Sequence, residues 1–191
     1  MNKLAVFFPG IGYTADKPLL YYSRKLAAAH GYEVKVLSFS GFPEKAKGDE
    51  GKMAVSVQIA ITQSREMMKD IDLSEYEEVL FIAKSIGTIA AAAVAGESPA
   101  REKIRMILYT PLEATFRYSL DGAIVFTGGA DPWVGREKSR IPALCAEAKI
   151  PCVLIPGANH SLETENVWAD ITNLERIMGE TEDYMRLGAE L

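Results

Sequence analysis

The stretch VLFIAKSIGTIAAAAVAG, residues 79–96, begins as an apolar run of strand length and ends as an alanine-rich run of helical length. Residues 79–83 are continuously apolar rather than alternating, which describes a strand buried on both faces. Lys84 and Ser85 interrupt the pattern where more apolar residues would pack more easily. Two positions to either side of Ser85 stand small residues, Ala83 and Gly87. A sharp strand-to-helix turn that pushes a side chain clear of the sheet needs this, because larger groups there would collide with their neighbours. Such a turn strains the serine backbone and sets its hydroxyl at a helix start, beside amide donors with no intrahelical partner. The Ile86 N–H is then in place to bind an oxyanion.

Five further apolar runs share the unalternating character of the first: residues 3–9, 33–39, 104–109, 123–127 and 152–155. The segments between them have helical periodicity. Asp16 is placed to cap a helix with Pro18 in its first turn, an apolar stripe of Leu19, Leu20, Tyr22 and Leu26, and Gly31 at its end. Other helices are expected over 51–70, over 86–95, from about Pro142, and over 166–178 or beyond. Strand and helix alternate throughout, which predicts a doubly wound α/β domain with a six-stranded, mostly parallel sheet between helical layers. In such a fold ligands bind at the carboxyl ends of the strands. Residues 40–51 read as an irregular segment bordering that face.

The chain has 191 residues, 48% of them hydrophobic, enough for one well-filled core and a single domain spanning 1–191. A net charge of -5 with no basic cluster argues against nucleic acid and anionic lipid as partners. The opening MNKLAVFFPG is too short an apolar run for a signal peptide or a membrane span, so a cytoplasmic location is expected. Cys145 and Cys152 lack the repeated spacing of a zinc site and read as buried free thiols in a reducing compartment.

A serine hydroxyl needs a base before it can attack, and there are two histidines. His30 ends the first helix before a strand, at the wrong edge of the sheet. His160, in IPGANHSLE, directly follows the sixth strand, on the same edge as Ser85. A carboxylate to orient it is offered by Asp131 in the Gly-rich turn after the fifth strand, with Glu113 after the fourth strand as competitor. Asp121 precedes a strand and is discounted.

At Ser85, Asp131 and His160 the sequence resembles the α/β-hydrolase superfamily, in the chain order of that superfamily's triad and over nearly the whole chain. The resemblance implies a three-layer α/β/α sandwich and a loop after the first strand that supplies a second oxyanion donor. FFPGIGYT (residues 7–14) looks like that loop, with Ile11 N–H the leading candidate and Gly12 and Tyr13 close behind. Ala83 replaces the first glycine of G-x-S-x-G. Only residues 110–122 join the fourth and fifth strands, where lipase-like members insert a lid, so the likeness is to compact, lidless relatives of the dienelactone-hydrolase kind. Implied is a serine hydrolase cleaving a small-molecule ester or thioester through an acyl-enzyme, without metal or organic cofactor. Substrate identity and oligomeric state are not implied.

Two rival readings follow from the same chain. GIGYTA (residues 10–15) satisfies a dinucleotide-binding fingerprint after the first strand, but the second strand ends in serines where an acidic ribose ligand is expected. A non-hydrolytic use of the fold, as a lyase, a perhydrolase or a silent scaffold, is the other. Tyr13, Phe42, Leu112, Phe116 and Trp133 are candidates for lining an acyl pocket, with Gly12. Lys84 either attracts an anionic substrate or, the commoner use, lays its stem on apolar surface with the ammonium in water.

Overall fold

The computed structural model describes residues 2–134 and 139–187. Six strands, β1 (Lys3–Phe8), β2 (Glu33–Val36), β3 (Glu78–Lys84), β4 (Ile104–Tyr109), β5 (Ala123–Gly128) and β6 (Cys152–Ile155), form one sheet in the order β2-β1-β3-β4-β5-β6. Every neighbouring pair is parallel, so the sheet is wholly rather than mostly parallel. Each connection therefore crosses back along the sheet: α1 (Pro18–Ala29), α2 (Glu50–Met68), α3 (Ile86–Glu97) and α4 (Ile141–Ala148) lie in four of them, the β4–β5 connection carries only a 3-10 turn, and α5 (Val167–Leu187) follows β6.

Alternate residues of the strands feed two cores. Val6, Phe81, Met106 and Val125 face α2, α3 and α4, whereas Phe7, Ile82, Tyr109 and Phe126 face α1 and α5. Strands β1, β3, β4 and β5 are buried nearly throughout, as unalternating apolar runs require. The expectation of two buried faces fails for β2, which is largely exposed, and for β6, which is only partly buried, because they are the sheet's edges. Strand β2 also stops at Val36 rather than Phe39: Leu37 makes one last bond to Phe7 and the chain then leaves the sheet.

Helix α3 is buried from Ile86 to Ala95 on all sides. Its alanines let α2 pack over it while it lies against the sheet, a close approach that bulkier residues would prevent. Across the sheet, α1, β4 and α5 are tied by a buried row of hydroxyls. Ser23 donates to the Leu19 carbonyl (2.7 Å) and so accepts from Tyr109 (2.8 Å), which accepts from Thr181 (2.6 Å).

Three local expectations change. Lys17, not Asp16, is the N-cap of α1, with no side-chain cap, and Asp16 instead meets Arg24 at 3.4 Å. Tyr22 is exposed, one residue off the apolar face that Leu19 and Leu20 define. Cys145 is buried but Cys152, at the start of an edge strand, is only half-buried; both are free thiols.

Candidate active site

Strand β3 delivers Ser85 at the carboxyl edge of the sheet. Its backbone has φ 55° and ψ -123°, a region that non-glycine residues occupy only under constraint. The constraint is visible: Ser85 N–H donates to Tyr109 O (3.0 Å), and Ser85 O accepts from Thr88 N (2.9 Å) and Thr88 Oγ1 (2.6 Å). Both ends of the residue are held while its side chain points away from the sheet.

Gly87 explains how this turn meets its neighbour. A Cβ there would lie 2.2 Å from Phe8 O and 2.5 Å from Pro9 O, so only glycine lets the first turn of α3 press against the end of β1. That brings the loop after β1 over Ser85, where a Cβ on Gly10 would come within 3.2 Å of the serine Cβ. The loop is a tight turn in which Gly10 N donates to Tyr13 O (3.0 Å) and Tyr13 N to Gly10 O (3.3 Å), with Gly12 at φ 69°. Among the described residues, the N–H groups of Ile11, Gly12 and Ile86 have no hydrogen-bond partner. Tyr13 drops out as an amide donor because its N–H is spent within the turn.

The loops after β5 and β6 are laced together. Gly129 N donates to Ile155 O (2.9 Å) and Ala130 N to Ala158 O (2.9 Å). A Cβ on Gly128 would lie 2.3 Å from Ala158 O, so glycine is again what permits the approach. Asn159 shapes the turn that carries His160, its Oδ1 accepting from Ser161 N (2.7 Å). Asp131 is 2% exposed; Oδ1 accepts from Trp133 N (2.9 Å) and Oδ2 meets His160 Nδ1 at 2.7 Å.

A carboxylate only accepts, so Nδ1 carries the proton and Nε2 is the free base. Nε2 lies 2.7 Å from Ser85 Oγ, which therefore donates to it. The indole of Trp133 stacks on the imidazole at 5.1 Å and 26°, and Lys47, from the irregular segment before α2, lies over that indole at 5.3 Å.

Burial, more than any other influence, holds the His160 pKa below its ordinary 6.5; the bond to Asp131 opposes it, and the cations of Lys84 and Lys47 reinforce it. The neutral, proton-accepting form is thereby favoured. The residues meet at a cleft of about 210 Å³ lined by Ile11, Gly12, Tyr13, Lys84, Trp133 and His160, and also by Met53 and Ser161, which sequence patterning did not single out.

Other candidates lie elsewhere. Leu112 is buried in the core that faces α3 and does not line the cleft, and Phe116 packs against the same core. Phe42 lines a separate hollow beside the loop after β1. Glu113 pairs with Arg140 at 3.3 Å, and His30 with Glu182 at 2.9 Å where α1 meets α5. The expectation that the Lys84 ammonium lies in water does not hold. It is 1% exposed, with its ammonium in the interior: Nζ donates to Thr110 Oγ1 (2.6 Å) and His160 O (2.7 Å).

Among the described residues, no three His, Cys, Asp or Glu side chains cluster as a metal would require, and no helix is long and apolar enough to cross a membrane.

No protein-family model matches the chain, and no curated protein matches it significantly. Solved structures match over almost its full length. A lidless α/β serine hydrolase from Xanthomonas campestris aligns with TM-score 0.60 at 15% identity, covering 96% of this chain and 81% of that one. Est1E from Butyrivibrio proteoclasticus, solved with ferulic acid bound, aligns with TM-score 0.68 at 12% identity (99% and 90% covered). An esterase from Pyrococcus furiosus gives 0.65 at 11% (97% and 82%). The chain thus has the α/β-hydrolase fold in its lidless form.

Proposed function

We propose that the chain, acting as a single domain, is a serine hydrolase that cleaves small carboxylic esters or thioesters through an acyl-enzyme. The observation that carries this is the unbroken row Ser85 Oγ, His160 Nε2, His160 Nδ1 and Asp131 Oδ2, with both contacts at 2.7 Å. In the reaction, Ser85 Oγ bonds to the substrate carbonyl carbon as its proton passes to His160 Nε2. Asp131 keeps Nδ1 protonated and stabilises the imidazolium that forms. The unpaired amides of Ile86 and Ile11 flank the cleft and hold the oxyanion. Collapse of the tetrahedral intermediate breaks the bond to the leaving group, which takes the proton from His160. Water then repeats the sequence on the acyl-enzyme.

The short 110–122 connection, which forms only a single 3-10 turn at Glu113–Arg117, supports a substrate that reaches Ser85 directly from solution. The free thiols fit a reducing compartment such as the cytoplasm. The alignment with Est1E supports including aromatic acyl esters in the first panel tried.

A fluorophosphonate probe should label Ser85, and Ser85→Ala should abolish labelling and lower kcat on the order of 10⁶-fold. Turnover of a soluble short-chain ester should show no jump as substrate passes into micelles. Folded protein inert to both probe and panel would overturn the reading in favour of a lyase or a silent scaffold.

A further inference from the structure

Lys84 is the one buried lysine of the described residues and shares no salt bridge with any of them. Charges so placed are costly unless their donors are satisfied. Here the donors converge on the site. One N–H reaches Thr110 Oγ1 (2.6 Å), another reaches His160 O (2.7 Å), and the ammonium lies 4.8 Å from the centre of the Tyr13 ring. Thr110 Oγ1 in turn donates to His160 O (3.1 Å), closing a triangle on that carbonyl.

Thr110 supplies a second, independent sign that this arrangement is built. It is β-branched yet sits at φ 42°, where such residues are rarely found, held by its N–H on Phe126 O (2.7 Å). The strained backbone aims its hydroxyl between Lys84 and the loop after β6. Resting on the reading of His160 as the base, we infer that Lys84 and Thr110 are positioning residues: they clamp the His160 main chain, and the Lys84 charge tunes the imidazole's basicity.

The electrostatic surroundings agree. The groups that act on His160 are Asp131 after β5, Lys84 at the end of β3 and Lys47 before α2. Lys84 in turn feels Asp131 and Glu163, yet burial outweighs them and brings its pKa down to about 7. Where His160 gains its proton, below pH 6.5, Lys84 is therefore still charged and repels it. Removing the charge must raise the His160 pKa.

The test is an NMR titration of the imidazole Cε1–H signals, with His30→Asn to assign the two histidines, run beside kcat and KM on an activated ester. In Lys84→Met the His160 midpoint should rise by on the order of one pH unit. Thr110→Val, which keeps the charge, should leave the midpoint nearly in place. Both should lower kcat by about tenfold to a hundredfold with KM little changed, and Thr110→Ser should restore it. The wild-type His160 signal should also show a second, smaller inflection near pH 7 as Lys84 loses its proton.

An unmoved His160 midpoint in Lys84→Met would overturn the tuning role. Unchanged kcat in Thr110→Val would overturn the clamp. The titration needs no substrate, so it stands even if the protein hydrolyses nothing, a result that would sink the hydrolase reading alone.

Discussion

Two histidines in this molecule each touch one carboxylate, at nearly the same distance: His160 and Asp131 at 2.7 Å, His30 and Glu182 at 2.9 Å. The difference lies in what surrounds each pair. His30 caps the C-terminus of α1, and its side chain and that of Glu182 are 27% and 31% exposed. Asp131 has no side-chain exposure at all, and its partner is covered by Trp133, backed by Lys84 through its own carbonyl, and bonded on its other nitrogen to Ser85. Water screens the first pair and does the work of any missing partner. The second pair is mostly enclosed by protein, its side chains 15% and 0% exposed, so each neighbour changes its chemistry. A histidine beside a carboxylate is ordinary; one whose second nitrogen, ring face and main chain are all assigned partners is a device.

The contrast breaks most visibly at the carboxylates. Asp131→Asn should keep the fold, shown by circular dichroism, while releasing the imidazole to the wrong tautomer, with a loss on the order of 10⁴ in kcat. Glu182→Gln and Glu113→Gln should leave kcat on the same ester unchanged. A large loss for Glu113→Gln with a near-normal Asp131→Asn would move the orienting role to the connection after β4.

The glycine beside each histidine sharpens it next. Gly128→Ala must force apart the loops after β5 and β6, because the new Cβ would meet Ala158 O at 2.3 Å; a stability loss of about 2–3 kcal/mol by urea denaturation is expected, with activity falling alongside. Gly31→Ala meets no atom within 4 Å and carries only the cost of φ 80° in a non-glycine residue, about 1 kcal/mol, with activity intact.

The acid limb of the pH-rate profile is a subtler measure. In the proposed reaction His160 must be neutral to accept the serine proton, and its pKa is held below 6.5, first by burial. The kcat/KM should therefore persist as pH falls through 6.5 and decline only below it. A limb above 6.5 would mean that Asp131 outweighs burial. The smallest effect belongs to the His30 pair: Glu182→Gln should leave Tm within error at pH 7, because a contact that water reaches contributes little.

Much of this was legible along the chain. Unalternating apolar runs separated by helical periods specify a parallel sheet, since period and length are local properties, and the Ala83-x-Ser85-x-Gly87 spacing marks a tight turn from side-chain size alone. The positions of Ser85, Asp131 and His160, each directly after a strand, put all three on one edge of any parallel sheet. Leu112 also follows a strand, yet it turns into the core, because which way a side chain faces after a strand depends on the 3-10 turn that follows. The incomplete burial of β2 and β6 was hidden for a related reason: a strand's place in the order, edge or centre, is not written in its own composition.

Lys84 marks the boundary most sharply. By composition a lysine reads as a solvated end on an apolar stem, and the residues that make it otherwise, Thr110, Tyr13 and His160, come from three other loops. The sequence by itself determined the strand and helix order, the strained turn at Ser85 and the edge on which the polar groups gather, all consequences of short-range sterics and period. Only the tertiary structure decided which amides stay unpaired, which carboxylate meets the imidazole and that the lysine beside the serine points inward, because each depends on close approach between segments far apart in the chain, made possible at Gly87 and Gly128 by the absence of a single carbon atom.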